Sequence, residues 1–158
     1  MKDFNTNTTN NDEWLTPPRI IQSLGHFDLD PCSPIKRPWD TADVHYSKID
    51  DGLSRDWFGR VWLNPPYGRE TFRWMERLAD HKSGIALIFA RTETRGFHDC
   101  IWKKANAVFF FKGRLKFYHV TGEEGGAANA PSCLVSYSVA DTDSIAKSGL
   151  DGKLVILE

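Results

Sequence analysis

Residues 85 to 90, Ile-Ala-Leu-Ile-Phe-Ala, form an unbroken apolar run between Gly84 and Arg91. A strand with one solvated face alternates apolar and polar residues, so a run of strand length without alternation has to be covered on both faces. That restricts the chain to architectures that lay helices on both sides of a sheet. Strand-like segments at residues 27 to 30, 60 to 63, 107 to 111, 132 to 138 and 153 to 157 are interleaved with helical patterns. Residues 16 to 25 read as Thr16 at an N-cap, prolines in the first turn, apolar positions 20, 21 and 24, and a terminating Gly25. Phe72, Met75, Leu78 and Ala79 are helically spaced, and residues 95 to 104 set Phe97, Ile101 and Trp102 on one side. Residues 31 to 48 read as mostly loop, 112 to 116 as an extension or turn, and 122 to 129 as a Gly/Ala-rich loop. The alternation predicts an α/β fold with a parallel-rich sheet, and the late β-loop-β run adds an antiparallel edge.

A length of 158 residues favours one core. Residues 1 to 11 are Asn/Thr-rich without apolar periodicity and read as a disordered lead-in, leaving 12 to 158 as a single domain. No stretch approaches the roughly 18 to 20 apolar residues of a membrane span, and the polar start has no apolar signal core, so a cytoplasmic location is expected. Cys32, Cys100 and Cys133 are widely spaced, with no C-x-x-C pair and no matching His spacing, so no metal is expected. Six tryptophans are more than a core of this size needs, which leaves some rings for a site.

The formal net charge of −1 hides an asymmetry. Residues 91 to 116 hold seven basic and two acidic residues, net +5, so the rest of the chain is net −6. A polyanion would therefore meet one strip of the molecule and not its whole surface.

The strongest local signal is Asn64-Pro65-Pro66-Tyr67, directly after the apolar segment 61 to 63. Open α/β sheets bind ligands beyond the carboxyl ends of their strands, where this tetrapeptide falls. The prolines stiffen the loop and remove N–H donors, leaving nearby carbonyls and the Asn side chain as directed acceptors suited to an exocyclic amino group. A plain turn has the same composition, and the position after a buried strand is what favours a site.

N-P-P-Y resembles the signature of amino-methyltransferases that use S-adenosylmethionine (AdoMet) to methylate adenine N6, cytosine N4 or a glutamine amide. Most of residues 12 to 138, through DEWLTPP, FDLDPCSP, DDGLSRDW, VWLNPPYG, ALIFARTETRGFHDCIWKKA, KGRLKF and APSCLVSY in that order, resembles the small phage-encoded DNA N6-adenine methyltransferases of the Dam type. The resemblance implies a Rossmann-like AdoMet-dependent methyltransferase fold, shortened, with a mixed sheet. It also implies a catalytic set of Asn64, Pro65, Pro66 and Tyr67. The Asn64 oxygen and the Pro65 carbonyl would accept from the adenine amino group, and Tyr67 would stack on the base after it leaves the duplex.

For the cofactor, the resemblance points to Thr16-Pro17 near the methionine part, with the N-cap role compatible. Trp14 would pack over the cofactor or staple the helix. An acidic residue closing the first strand would contact the amino-acid or ribose portion, Asp30 being preferred to Asp28, and Cys32 lies nearby. Asp51, with Asp50 in reserve, would meet the cofactor's adenine amino group; a solvated turn is the alternative. The G-x-G turn of most AdoMet sites is missing, with D-P-C-S-P in its place, and the interval from Asp30 to Asp51 is short for a full βα unit. This leaves open whether the first strand is the first or second of the usual sheet.

Phosphate contacts are expected from Arg91, Arg95, Lys112, Arg114 and Lys116, with Lys103 and Lys104 on a solvated helix face. By resemblance Phe117, or Tyr118 beside it, supplies a second aromatic against the flipped base, and residues 118 to 130 form a loop that orders on DNA and sets target choice. No histidine is assigned a role. The expected activity is transfer of methyl from AdoMet to adenine N6 in DNA. The competing readings are an amino-methyltransferase for cytosine N4 or protein glutamine, and a non-catalytic DNA-binding relative.

Overall fold

The computed structural model describes residues 13–157, so the lead-in expected at 1 to 11 lies outside the described residues. In chain order the elements are α1 (Pro18–Ser23), β1 (Leu29–Asp30), β2 (Val44–His45), a 3-10 turn (Gly52–Ser54), β3 (Val61–Leu63), α2 (Thr71–His81) and β4 (Gly84–Phe89). There follow α3 (Arg95–Phe97), continued as a π-helical turn (His98–Trp102), then β5 (Ala107–Phe111), β6 (Lys116–Tyr118), β7 (Glu124–Ala127), β8 (Ser132–Ser136), α4 (Val139–Lys147) and β9 (Gly152–Ile156). Seven strands form one sheet in the order β2-β1-β3-β4-β8-β5-β9, while β6 and β7 pair separately.

All six residues of β4 are buried, as its unbroken apolar run requires. Ala86 and Ile88 pack with Val61, Leu63, Met75, Leu78, Phe97 and Ile101, beneath α2 and α3. Ile85, Leu87 and Phe89 face the other way, onto Ile20, Leu24 and Trp62 with Ile145 of α4. The sheet is thus a middle layer between two apolar clusters, a mixed α/β architecture.

β2, β1, β3 and β4 are parallel. β8 is antiparallel to both β4 and β5, and β9 is antiparallel to β5. The reversal expected at an edge therefore begins in the interior of the sheet, at β8, and only β9 is an antiparallel edge. Two further expectations are corrected, and one helix is added. The loop at 31 to 48 contains β2, held by backbone bonds from Val44 N to Asp28 O (3.0 Å) and from Tyr46 N to Asp30 O (2.9 Å). The Gly/Ala-rich segment is largely β7, a hairpin partner of β6, and Leu15 bridges to Tyr118 on the hairpin. Helix α4 was not expected at all, although Ser138 caps it by accepting from Asp141 N at 3.1 Å, and Asp141 sits three residues on in a capping-box spacing. Asp141 also takes Gly84 N at 2.7 Å and Arg60 Nε at 2.7 Å, which ties α4 to the starts of β3 and β4.

Candidate active site

β1 connects to β2 on one side of it, whereas β3, its neighbour on the other side, connects to β4 further away, so the chain leaves β1 and β3 in opposite directions. The loops beyond the carboxyl ends of β1 and β3 therefore diverge, and a cleft at such a reversal is the expected ligand position in an open α/β sheet. A cleft of about 220 Å³ opens there, lined by residues 31 to 34 after β1 and 64 to 67 after β3. Ser47, Lys48, Asp51 and Gly52 from the β2–β3 connection, Trp74 of α2, and Glu13 and Trp14 complete its walls.

Each wall has a local cause. Asp50 Oδ2 accepts from Ser47 N at 2.9 Å and closes the turn that leads to Asp51. Asp51 adopts a left-handed φ of 56°, and its carbonyl accepts from Ser54 N at 2.9 Å. Gly52 lets this turn press on the end of β1, since a Cβ there would lie 2.0 Å from the Pro31 carbonyl oxygen. The Gly52 carbonyl accepts from Trp57 Nε1 at 2.9 Å, and Trp57 stacks on Trp74 with centroids 6.2 Å apart.

On the other wall, Asn64 Nδ2 donates to Thr16 Oγ1 at 3.4 Å. This bond takes one of the two N–H donors of the Asn64 amide and turns the nitrogen toward Thr16, leaving the side-chain oxygen as an acceptor for a ligand. The Pro66 carbonyl accepts from Thr71 Oγ1 at 2.5 Å, which fastens the loop to the first turn of α2. The Tyr67 ring lies on Phe89, centroids 4.5 Å apart and planes 13° from parallel. Burial pushes the Tyr67 phenol well above its usual range, so the ring is a neutral surface at physiological pH.

The structure gathers Trp14, Cys32, Asp51, Asn64, Pro65, Pro66 and Tyr67 around one cleft. Thr16 is buried behind Asn64 and does not cap α1, whose N-cap is Pro17 without a side-chain bond. Asp30 is only 3% exposed and is turned away from the lining. Its carboxylate accepts from Cys32 N at 3.1 Å and from the Thr41 hydroxyl, bracketing the loop after β1, and burial raises its pKa to about 6.

Two assignments are corrected. Asp28 precedes β1 at the opposite end of the sheet, where it accepts from Arg60 N at 2.7 Å and lies 3.7 Å from His26, so it is remote from the cleft. Phe117 is 1% exposed and packs in the core with Leu115 and Ile85, leaving no face for a base. Tyr118 meets Trp39 edge-on at 5.4 Å, and its hydroxyl reaches Glu124 at 3.4 Å.

The basic residues Arg91, Arg95, Lys112, Arg114 and Lys116 are all exposed. Arg91 and Lys112 follow the carboxyl ends of β4 and β5, the end of the sheet that carries Asn64. Arg114 Nη1 donates to Ala128 O at 3.2 Å on the hairpin, and Lys116 Nζ is 3.9 Å from Glu124. Lys103 and Lys104 precede β5 and lie at the far end.

Glu13, Pro31, Ser33, Pro34, Ser47, Lys48, Gly52 and Trp74 line the cleft without having been singled out in the sequence. Trp74 carried a signal, since it precedes Leu78 by four residues and so shares its helical face. Ser47 and Lys48 carried none, because their place depends on β2. Among the described residues, one group with metal-ligand chemistry, His26, Asp28 and Asp43, clusters within 4.8 Å at the end of the sheet opposite the cleft. It is joined by an ion pair of 2.9 Å from His26 Nε2 to Asp43. Among the described residues no helix is long and apolar enough to cross a membrane.

A family model described as DNA N-6-adenine-methyltransferase (Dam) matches residues 3–145. No curated protein and no solved structure gives a significant match.

Proposed function

The chain belongs to the DNA N-6-adenine-methyltransferase (Dam) family, and on that premise we propose that it transfers the methyl group of AdoMet to adenine N6 in DNA, with the base turned out of the duplex. The observation that carries this reading is the convergence of the N-P-P-Y loop with Asp51, Cys32 and Trp14 on one cleft at the β1/β3 reversal. The wider proposal is a shortened Rossmann-like methyltransferase sheet within a single domain spanning residues 12 to 158.

The residues present fit AdoMet. The cleft offers aromatic walls in Trp14 and Trp74, a carboxylate in Asp51 and hydroxyls in Ser33 and Ser47, a donor and acceptor set suited to an adenine, a ribose and a cationic amino-acid end. Bound there, AdoMet supplies an electrophilic methyl group on a sulfonium. Asp51 and Trp14 would hold it. Asp30 acts indirectly, by fixing the Cys32 loop through its two accepted hydrogen bonds.

Adenine N6 is a poor nucleophile because its lone pair is delocalised into the ring. Acceptance of its protons by the Asn64 side-chain oxygen and the Pro65 carbonyl favours a pyramidal nitrogen with a localised lone pair. Thr16 keeps the Asn64 amide turned for this by engaging its nitrogen. Tyr67 receives the base by stacking and offsets part of the few kcal/mol that unstacking costs. The rate then derives from positioning and directed acceptors. The exposed cations after β4 and β5 grip the flanking phosphates.

The test is AdoMet titration by calorimetry, followed by incubation with labelled AdoMet and unmodified DNA and digestion to nucleosides. Saturable binding with label in N6-methyladenine is expected. Label in N4-methylcytosine or on protein glutamine would replace the acceptor, and absence of AdoMet binding would leave a non-catalytic DNA binder.

A further inference from the structure

Tyr67 sits on a loop, outside any strand ladder. Pro65 and Pro66 fix the backbone before it, and Thr71 holds the Pro66 carbonyl. Gly68, at a φ of 92°, follows it directly. None of these devices sets the plane of the Tyr67 ring.

The ring itself meets a side chain of the neighbouring strand. Phe89 is the last residue of β4 and is 8% exposed. Its strand is held by β3 as far as the pair Leu63↔Ala86 and by β8 along its whole length, to the pair Phe89↔Ser132. The Phe89 ring is therefore delivered by the end of a fully buried strand to the loop that follows β3, where it lies nearly parallel to Tyr67 at 4.5 Å. Arg91 Cζ lies 5.7 Å from the centroid of the same Phe89 ring, so a cation stands beside the aromatic pair.

We infer that Phe89 is a positioning residue for the reaction: it holds the plane of Tyr67 on which the extruded adenine is received. The inference rests on the methyl-transfer reading above and adds a residue that the N-P-P-Y motif does not contain. A leucine at 89 would keep the site apolar but present no flat surface, so the Tyr67 ring would have to be ordered anew in each encounter with a base. That cost falls on the positioning step and not on cofactor binding.

A double-mutant cycle tests it, with single-turnover methylation of unmodified plasmid DNA at saturating AdoMet as the readout, and AdoMet affinity and thermal melting measured alongside. Phe89→Leu is expected to slow methylation about tenfold in the wild-type background and less than twofold in a Tyr67→Leu background. Phe89→Tyr, which restores a flat ring, should return the rate to within about threefold of wild type, with AdoMet affinity within about threefold throughout. If Phe89→Leu melts before assay, Phe89→Met asks the same question with a side chain that fills irregular space. An equal loss in both backgrounds would mark Phe89 as core alone and overturn the inference, as would full activity in Phe89→Leu. A wild type that leaves the DNA unmethylated overturns the methyltransferase reading and the inference with it, whereas an active wild type with equal losses overturns the inference only.

Discussion

The two halves of the sheet solve different problems. β2, β1, β3 and β4 run parallel, and the connections that follow β1 and β3 leave in opposite directions, so their loops part and a cleft forms between them. Across β8, β5 and β9 each strand is antiparallel to the next. Here the carboxyl end of β5 turns into the β6–β7 hairpin, and the exposed cations Lys112, Arg114 and Lys116 lie along that turn. A parallel pair at a reversal opens a pocket, whereas antiparallel neighbours close the layer and display side chains. The charge asymmetry is narrower than this division, being concentrated in the net +5 of residues 91 to 116.

The comparison breaks most directly at Asn64. If the parallel half carries the chemistry, Asn64→Ala removes the directed acceptor and should lower turnover on the order of a hundred- to a thousandfold, the usual scale for losing one preorganised polar contact to the reacting group. AdoMet affinity should stay within a few fold by calorimetry. Collapse of cofactor binding together with turnover would move Asn64 from the base to the cofactor.

Gly52 sharpens the same comparison through packing. A methyl group there meets the Pro31 backbone oxygen at 2.0 Å, a contact that no rotamer change relieves. Gly52→Ala should cost about 3 kcal/mol or more of stability in urea unfolding, toward the upper end of overpacking effects, and weaken AdoMet binding as the walls shift. An alanine variant with wild-type stability and affinity would mean that the turn is not pinned to β1.

The parallel half was also the more legible in sequence. The unbroken run of β4 and the apolar segment before N-P-P-Y marked two buried strands, and a loop after a strand is local enough to read directly. β2 escaped because it is two residues long and half-exposed; its pairing is dictated by the backbone of β1 and not by its own pattern. Asp28 and Asp30 alternate identically; the carboxyl-end rule favoured Asp30, but its burial beneath the Cys32 loop depends on Thr41 and the short β2, which the alternation does not show. In the other half, the alternation of Leu115 and Phe117 inward against Lys116 outward was present in the sequence, and it outweighs the resemblance that set Phe117 against a base. α4 buries only Asp141, Thr142 and Ile145, so its apolar stripe was too thin to read, although its Ser138 cap was there.

A smaller effect separates the halves by pH. Asp30 is buried in the parallel half and its pKa is raised from 3.8 to about 6 by desolvation, which outweighs the hydrogen bonds from Thr41 and Cys32. The folded state thus binds this proton more tightly than the unfolded chain, so acidification favours the fold. The gain begins as pH falls through 6 and is complete below 3.8. Relative to Asp30→Asn, the wild type should gain about 1 kcal/mol between pH 7 and pH 5. A stability difference that is flat with pH would remove desolvation as the dominant influence on this carboxyl.

The smallest expected effects lie in the antiparallel half and its border, where charge and not shape is at issue. Arg91 and Lys112 are exposed and carry no ion pair among the described residues, whereas Lys116 is 3.9 Å from Glu124. A cation already facing a carboxylate gains less from a phosphate, because it must share or give up the first partner. Arg91→Ala and Lys112→Ala should each lower the slope of log binding constant against log salt by about 0.9, the contribution of one neutralised phosphate on duplex DNA. Lys116→Ala should lower it by less than half of that, and Lys103→Ala, at the far end of the sheet, should leave it unchanged. Fluorescence anisotropy on a labelled duplex over a range of salt concentrations measures all four. Equal slopes for Arg91→Ala and Lys103→Ala would show that the cations act through net charge alone, and the division of labour between the two halves would then not extend to DNA.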